Sequence, residues 1–431
     1  MRDMRNPENV LNSLSKHSGN LNYKFERLYR VLFNEEMFYV AYQNIYSKTG
    51  NMTAGVDGKT IDGMSIDRVK QLIGSLKNET YQPNPSKRTY IPKKNGKKRP
   101  LGIPSFDDKL VQEVVRMILE AIYEGSFEHT SHGFRPKRSC HTALIDIQKT
   151  FTAVKWFIEG DIKGFFDNIN HDVLIDILRE RIADERFLRL IRKFLNAGYV
   201  EDWVFHRTYS GTPQGGIISP ILANIYLDKF DKYIKEYINR FNKGATRKGD
   251  ARYKLYEQRR YRLAKKLKNE KDAKVREQMT AEIKRLREER NNYPARNEMD
   301  SSIKRLKYVR YADDFLIGIT GSLEDCKTVK EDIKNYLNES LKLELSDEKT
   351  LITNAQKPAK FLGYDVFIRR CNDLRKDKSG KTVRAFGHKP VLYLNFETMR
   401  KKLFDYKAAR IAVINGKEVW KSIVRTYMLN L

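Results

Sequence analysis

The sequence predicts an α+β fold, with helices packed around an antiparallel sheet that carries acidic side chains at its strand ends. Three observations lead there. Residues 306–320, Leu-Lys-Tyr-Val-Arg-Tyr-Ala-Asp-Asp-Phe-Leu-Ile-Gly-Ile-Thr, set apolar and aromatic residues on both sides of an Ala312-Asp313-Asp314 corner, the pattern of a β-hairpin. Residues 155–161, Lys-Trp-Phe-Ile-Glu-Gly-Asp, read as a strand that ends on Asp161 and leads into a helical turn. Residues 107–123 carry apolar groups at helical spacing, and residues 241–290 hold 18 Lys/Arg against 8 Asp/Glu with almost no Gly or Pro after Asp250. That composition favours a helical hairpin, ended by Asn291-Asn-Tyr-Pro294.

The acids give the first chemical clue. Neighbouring carboxylates on a rigid hairpin repel each other unless a cation neutralises them, and hard oxygen ligands favour Mg²⁺. Taken alone, the hairpin fits a surface Asx turn equally well. Asp161 supplies a third carboxylate at a strand end. Three carboxylates holding two metals about 3.5–4 Å apart are a device for nucleotidyl transfer, serving the attacking 3′-hydroxyl and the pyrophosphate leaving group. Asp161, Asp313 and Asp314 are therefore the candidate catalytic residues, and with Ile162 the candidate holders of two Mg²⁺. Tyr311-Ala-Asp-Asp314, together with Asp161-x-x-x-Phe-Phe-Asp167, resembles the palm of a reverse transcriptase, which implies a right-hand polymerase fold.

Composition narrows the partners. The chain has 431 residues, enough for two or three domains, and a formal net charge of +28. Charge of that size acts through phosphates, so nucleic acid is the first partner expected. No apolar run approaches the ~20 residues of a spanning helix, and Met-Arg-Asp-Met-Arg lacks a secretory core, so no membrane role is expected. The 3 cysteines form no CxxC or His-Cys cluster, which argues against disulfides and zinc. The expected setting is the bacterial cytoplasm.

Residues 24–47 place apolar groups at helical spacing, usually a sign of core packing. Their position ahead of the polymerase motifs resembles the N-terminal extension of group II intron reverse transcriptases, which implies contact with intron RNA. Asn51–Gly58 is a loop broken by Gly55 and Gly58, and its Gly-Val-Asp-Gly is similar to a family loop near the template strand. Residues 88–102 flank an Asn95-Gly96 hairpin signal with cations. Spacing leaves a solvated edge hairpin and a triphosphate clamp both open; the resemblance to the family's fingers hairpin implies Lys93 and Arg99 as triphosphate ligands. The loop His132-Gly-Phe-Arg-Pro-Lys-Arg-Ser139 also resembles the family, with Arg135, Lys137 and Arg138 expected on the template or primer backbone. His132, His141 and His171 lack ligand spacing.

Phe166 falls five residues after Asp161, where the family carries the bulky group that excludes a ribose 2′-hydroxyl. Plain core packing explains a Phe there as well. A helical turn directs Asp167 elsewhere. Gly211-Thr-Pro-Gln-Gly-Gly-Ile-Ile-Ser-Pro220 opens as a loop and enters a helix; as chemistry this is a weak signal. As a resemblance, Thr-Pro-Gln-Gly-Gly followed by Ser-Pro and Ala-Asn is specific to group II intron and related bacterial reverse transcriptases, and it implies Gln214 as a nucleotide contact. Within the basic hairpin, Lys265, Lys266 and Lys268 are candidate RNA contacts, against the alternative of a solvated charged helix. Residues 341–349 alternate as a strand reaching Lys349, either a surface lysine or, by resemblance, a group near the pyrophosphate. Residues 360–367 resemble the primer grip, with Gly363 and Tyr364 against the primer. Residues 369–390 are basic and Gly-interrupted, and a helical pattern resumes at 395–405.

The division expected is an N-terminal extension (1–50), fingers (51–160), a first palm segment (161–232), the basic insertion (233–305), a second palm segment with the primer grip (306–370) and the start of a helical thumb (371–431). By this resemblance the chain is expected to be truncated within the thumb at Leu431 and to lack a zinc-bound nuclease. The resemblance implies RNA-directed DNA synthesis with dNTPs and two Mg²⁺, and assistance to splicing of the intron RNA. Intron RNA, a DNA primer or target and dNTPs are the partners, with a homodimer left open. The alternatives are an RNA-binding maturase without polymerase activity and a retron or CRISPR-associated reverse transcriptase.

Overall fold

The acidic and basic hairpins and the strand ending on Asp161 appear where the sequence pattern places them. In chain order, β1 (Ser86–Pro92) and β2 (Lys98–Ile103) form the basic hairpin, with Tyr90 opposite Pro100. β3 (Trp156–Asp161) follows, then a short pair, β4 (Tyr199–Glu201) and β5 (Val204–His206). β6 (Arg305–Tyr311) and β7 (Asp314–Thr320) are the two arms of the acidic hairpin, and β8 (Leu351–Asn354) comes after a long helix. β9 (Ala359–Phe361) and β10 (Tyr364–Arg369) turn about Leu362-Gly363, both at positive φ as a tight two-residue hairpin demands. This computed structural model describes residues 6–423, apart from 93–95, 97, 213–214, 298–299, 370–373, 377, 379, 381, 385–387 and 415–416.

Two four-stranded sheets matter for the site. One has the order β2-β1-β4-β5, the other β6-β7-β3-β8. The second sheet is covered on both faces, so its strands read as nearly continuous apolar runs. Ile158, Ile317, Ile319 and Tyr308 face one core, built with the helices Phe106–Tyr123, Ser219–Phe241 and Leu323–Leu341. Phe157, Leu316 and Val309 face another, built with the helix Cys140–Thr150 and with β9 and β10. Strand alternation alone divides these neighbours between the two cores. Gly160 is required by its neighbour, since a Cβ there would stand 2.1 Å from the Phe315 ring.

Four expectations are corrected. Residues 24–47 are not one helix: Arg27 sits at φ +55° and Asn34 is extended, so the stripe folds as a 3₁₀ turn (Leu28–Phe33) and a helix (Glu35–Tyr46). The strand expected over 341–349 is absent. Leu341 ends a helix, Lys342 is left-handed, and Leu343 and Leu345 alternate inward with only an isolated bridge from Leu345 to Ile162. The division at residue 160 cuts the end of β3, which belongs wholly to the sheet of the acidic hairpin. Beyond residue 371 the described chain is mixed: a strand pair (Leu374–Lys376 with Thr382–Arg384), a strand (Lys389–Leu394) on β10, one helix (Phe396–Asp405), and a hairpin of Ala409–Ile414 with Lys417–Ser422.

The expected basic helical hairpin is present, as Ala251–Asn269 and Ala273–Asn291. Asp250 and Asp272 cap the two helices by accepting from backbone N–H groups of their first turns. Among the described residues only Leu286 and Asn291 of these helices are buried, so the hairpin stands largely in solvent. No helix of the described residues is long and apolar enough to cross a membrane.

Candidate active site

β3 and β7 are antiparallel and bring Asp161 directly opposite Asp314, while Asp313 occupies the turn before β7. Opposed residues on neighbouring strands hold their Cβ atoms about 4.5–5.5 Å apart, so two carboxylates meet by register alone. Asp161, Asp313 and Asp314 line one cleft of about 690 Å³, together with Ile162, Arg99, Phe134, Phe166, Gly215, Gly216, Tyr311 and Lys349.

Charge in this cleft is unbalanced. Crowding and loss of hydration, then the Asp313 and Asp161 charges, push the Asp314 carboxyl up to about 7. Asp314 still reaches solvent, so hydration loss contributes less than packing implies, but the two neighbouring carboxylates act in the same direction. Asp313 is raised for the same reasons, with Arg99 and Lys349 opposing the shift. Lys349 is the direct counter-ion: its Nζ donates to Asp161 Oδ2 at 2.8 Å, and that bond raises the lysine's own pKa. The segment before it is held against β3 by backbone bonds from Ser346 N to Asp161 O (2.9 Å) and from Lys163 N to Glu344 O (2.9 Å). Lys349 thus reaches the acids from a loop, not from the strand expected.

The acidic turn has a brace that the sequence motifs did not single out. Arg310, fully buried on β6, pairs with Asp231 at 2.5 Å and donates to Ser131 Oγ (2.8 Å), to Asn224 Oδ1 (3.3 Å) and to the carbonyl of Ala312 (2.8 Å). Tyr308 donates to the same Asp231 at 2.6 Å. Ala312 sits at φ +56°, so the guanidinium fixes a strained corner next to both acids. Gly133 packs on that corner: a Cβ would lie 2.3 Å from Ala312 N. The signal for this brace is an arginine inside an otherwise apolar and aromatic strand, which demands a buried partner.

The residues expected on the nucleotide side are distributed as follows. Arg99 faces the acid cleft, and Phe166 lies in its wall with its ring 6.3 Å from that of Phe134. Gly215 approaches the carbonyl of Gly102, where a Cβ would stand 2.4 Å away. Lys93 and Gln214 lie outside the described residues. Ile162 is buried beside Asp161 in the cleft wall.

Of the expected nucleic-acid contacts, Arg135 is corrected. It is buried, with its guanidinium forked onto Glu124 (2.9 and 3.1 Å) and donating to the carbonyls of Glu128 and Ser131 at 2.8 Å. Its office is to hold the loop that backs the acidic turn. Lys137 is exposed, and Arg138 donates to the carbonyl of His129. Gly363 forms the β9–β10 turn beside Leu362, which lines the acid cleft, and Tyr364 begins β10. Lys265, Lys266 and Lys268 are exposed near the far end of the first insertion helix. His132 and His171 are buried and bonded to Thr142 and to Asn196 with Gly211, as packing residues are. Among the described residues, no three His, Cys, Asp or Glu side chains close into a ready-made metal cage.

Comparison with known proteins agrees with this geometry. The sequence profile of the reverse transcriptase (RNA-dependent DNA polymerase) family matches residues 91–253 and 286–366. The group II intron-encoded protein LtrA of Lactococcus lactis subsp. cremoris is 45% identical over 425 residues, 97% of this chain and 69% of the relative. A 91 kDa protein in a cob intron of Schizosaccharomyces pombe is 44% identical over 81% of this chain and 43% of its own length. Protein YkfC of Escherichia coli (strain K12) is 34% identical over 80% of this chain and 84% of its own. With its acids, hairpins and sequence relatives in agreement, the chain belongs to the reverse transcriptase family, in its group II intron-encoded branch, and is an RNA-directed DNA polymerase.

Proposed function

We propose that the chain copies RNA into DNA at Asp161, Asp313 and Asp314, and that it binds its own intron RNA to assist splicing and mobility. The observation that carries the first part is the convergence of three carboxylates across β3 and the β6–β7 turn, balanced at close range by Lys349. Two carboxyls with raised proton affinity fit a divalent cation, which removes the repulsion that disfavours their ionisation. Mg²⁺ suits the all-oxygen set and ordinarily completes its shell with water and substrate phosphate. When bound, it supplies positive charge to the transferred phosphoryl group.

The remaining work belongs to side chains. Arg99 offers a planar fork to the triphosphate, with Lys93 as a point charge beside it. Phe166 stands against the sugar and excludes a 2′-hydroxyl, and Gln214 contacts the nucleotide. Lys349 is held protonated near the acids, where it stabilises the departing pyrophosphate. The β9–β10 turn at Gly363 and Tyr364 presses the primer end toward Asp161.

RNA binding is the second activity. Relatives are encoded in introns, and the net charge of +28 supplies phosphate affinity that falls steeply with salt. Lys137, Lys265, Lys266 and Lys268 are its exposed candidates. The polymerase reading is tested by dNTP incorporation on a primer annealed to RNA, with Mg²⁺ titrated, for the wild type and Asp161→Ala. Loss of incorporation only in the variant supports it; equal rates would remove Asp161 from the chemistry.

A further inference from the structure

Behind the acid cleft lies a second cavity, of about 240 Å³, separated from it by the β2 strand and Phe166. Side-chain alternation along β2 makes the division: Arg99 and Leu101 face the acids, whereas Pro100 and Gly102 face the second cavity. Phe166 and Asp167 line both. The space is below the roughly 300–1,000 Å³ of pockets that hold drug-sized ligands, and on the scale of a nucleobase with part of its sugar.

One wall is a platform of planar groups. The Arg88 guanidinium lies 3.6 Å over the centroid of the Tyr199 ring, and Tyr199 stacks on His206 at 4.9 Å with planes 15° apart. Three adjacent strands, β1, β4 and β5, thus carry a continuous guanidinium–phenol–imidazole stack. The opposite wall is Gly211-Thr212, held to the helix of Phe166 by a bond from Thr212 N to Phe166 O of 2.7 Å.

Among the described residues, two polar atoms at this cavity lack partners. Thr212 is 3% exposed and its Oγ1 makes no hydrogen bond. Arg88 Nε is buried and equally unpartnered. Buried hydroxyl and guanidinium groups are almost always satisfied, and leaving one unpaired costs about 1–3 kcal/mol. A hydroxyl and a guanidinium aligned with an aromatic platform call for a planar ligand that bears hydrogen-bonding edges. The exposed Asp167 carboxylate on the wall counts against a bare phosphate.

We propose that this cavity is a nucleobase subsite that takes one unpaired purine of the template RNA strand. The Arg88 guanidinium, with one face on Tyr199, offers its other face to the base. Single-stranded RNA is read by splaying a base onto aromatic or arginine planes and bonding its edges, which is what this wall offers. The proposal rests on the polymerase reading for one thing only, that the chain holds an RNA template.

The test uses the whole chain and RNA templates, annealed to a DNA primer, that carry 2-aminopurine at one position at a time. At one position the fluorescence changes on binding in the wild type, and Arg88→Gln and Thr212→Val each require about tenfold more protein for the same change. Thr212→Val melts no lower than the wild type, because its hydroxyl has no partner to lose. Titrating free GMP separates the two sources of the base: displacement by GMP assigns a free nucleotide to the cavity, and its failure assigns the strand. The same fluorescence at every position in the wild type and both variants overturns the proposal. Primer extension on the same templates is scored separately, so that loss of extension in the wild type counts against the polymerase reading while fluorescence still reads the cavity.

Discussion

At the scale of single residues, the acids owe their placement to buried neighbours outside the cleft lining. Gly133 and Arg310 fix the Ala312 corner from two sides, one by having no side chain and one by a buried guanidinium. Gly133→Ala forces Ala312 away and is expected to lower kcat by about 10²-fold, the cost of a misplacement near 1 Å, with RNA affinity unchanged. Single-turnover extension beside an RNA titration checks it. The acids themselves predict a stability effect. The Asp314 carboxyl is raised from 3.8 to about 7, so the folded protein binds its proton more tightly than the unfolded chain does between those values. Stability therefore falls as pH rises through that window, and ionised Asp314 is destabilising above it. Without divalent cations, Asp314→Asn is expected to melt above the wild type at pH 8, with the difference shrinking toward pH 4. Mg²⁺ narrows the gap by stabilising the wild type. A variant that melts lower than the wild type at pH 8 would contradict the charge argument.

At the scale of elements, the acidic hairpin, the basic hairpin and the helical insertion were legible because each has a local cause. Alternation with a turn signal makes the first two, and composition with two Asp caps makes the third. Other elements were legible in part. Ile411–Ile414 and Val419-Trp420 flank Asn415-Gly416, a hairpin signal that an expectation of helix overrode. Leu341, Leu343 and Leu345 alternate as a strand would, yet the first ends a helix and the others bury a loop, so period alone misled. Arg135 looked like a phosphate ligand because its partner Glu124 is eleven residues away and only the fold unites them. Asp161 and Asp314 could be matched as types, whereas their register across β3 and β7 is a tertiary fact. The insertion carries its own prediction. Since few of its side chains are buried, replacing residues 245–296 with a short Gly-Ser linker is expected to spare extension on short templates. Intron RNA binding should weaken and its dependence on salt become shallower, by about one unit of slope for each phosphate that the insertion had neutralised. Unchanged binding and slope would assign the hairpin to solvent alone.

At the scale of the whole molecule, the two proposed functions share one basic body and separate in their chemistry. On the proposed reading, polymerisation depends on three carboxylates in one cleft, while RNA binding depends on cations spread over the surface and on a net charge of +28. Removing one acid therefore abolishes the first function and leaves the second. It even removes a negative charge from a surface that meets phosphate. The direct measurement is primer extension on an RNA template with Mg²⁺ and dNTPs, beside titration of the intron RNA, for the wild type and Asp313→Ala. The account predicts extension by the wild type alone, with RNA bound equally by both proteins. Extension by Asp313→Ala at the wild-type rate would contradict the three-acid site, and loss of RNA binding together with extension would contradict the separation of the two functions.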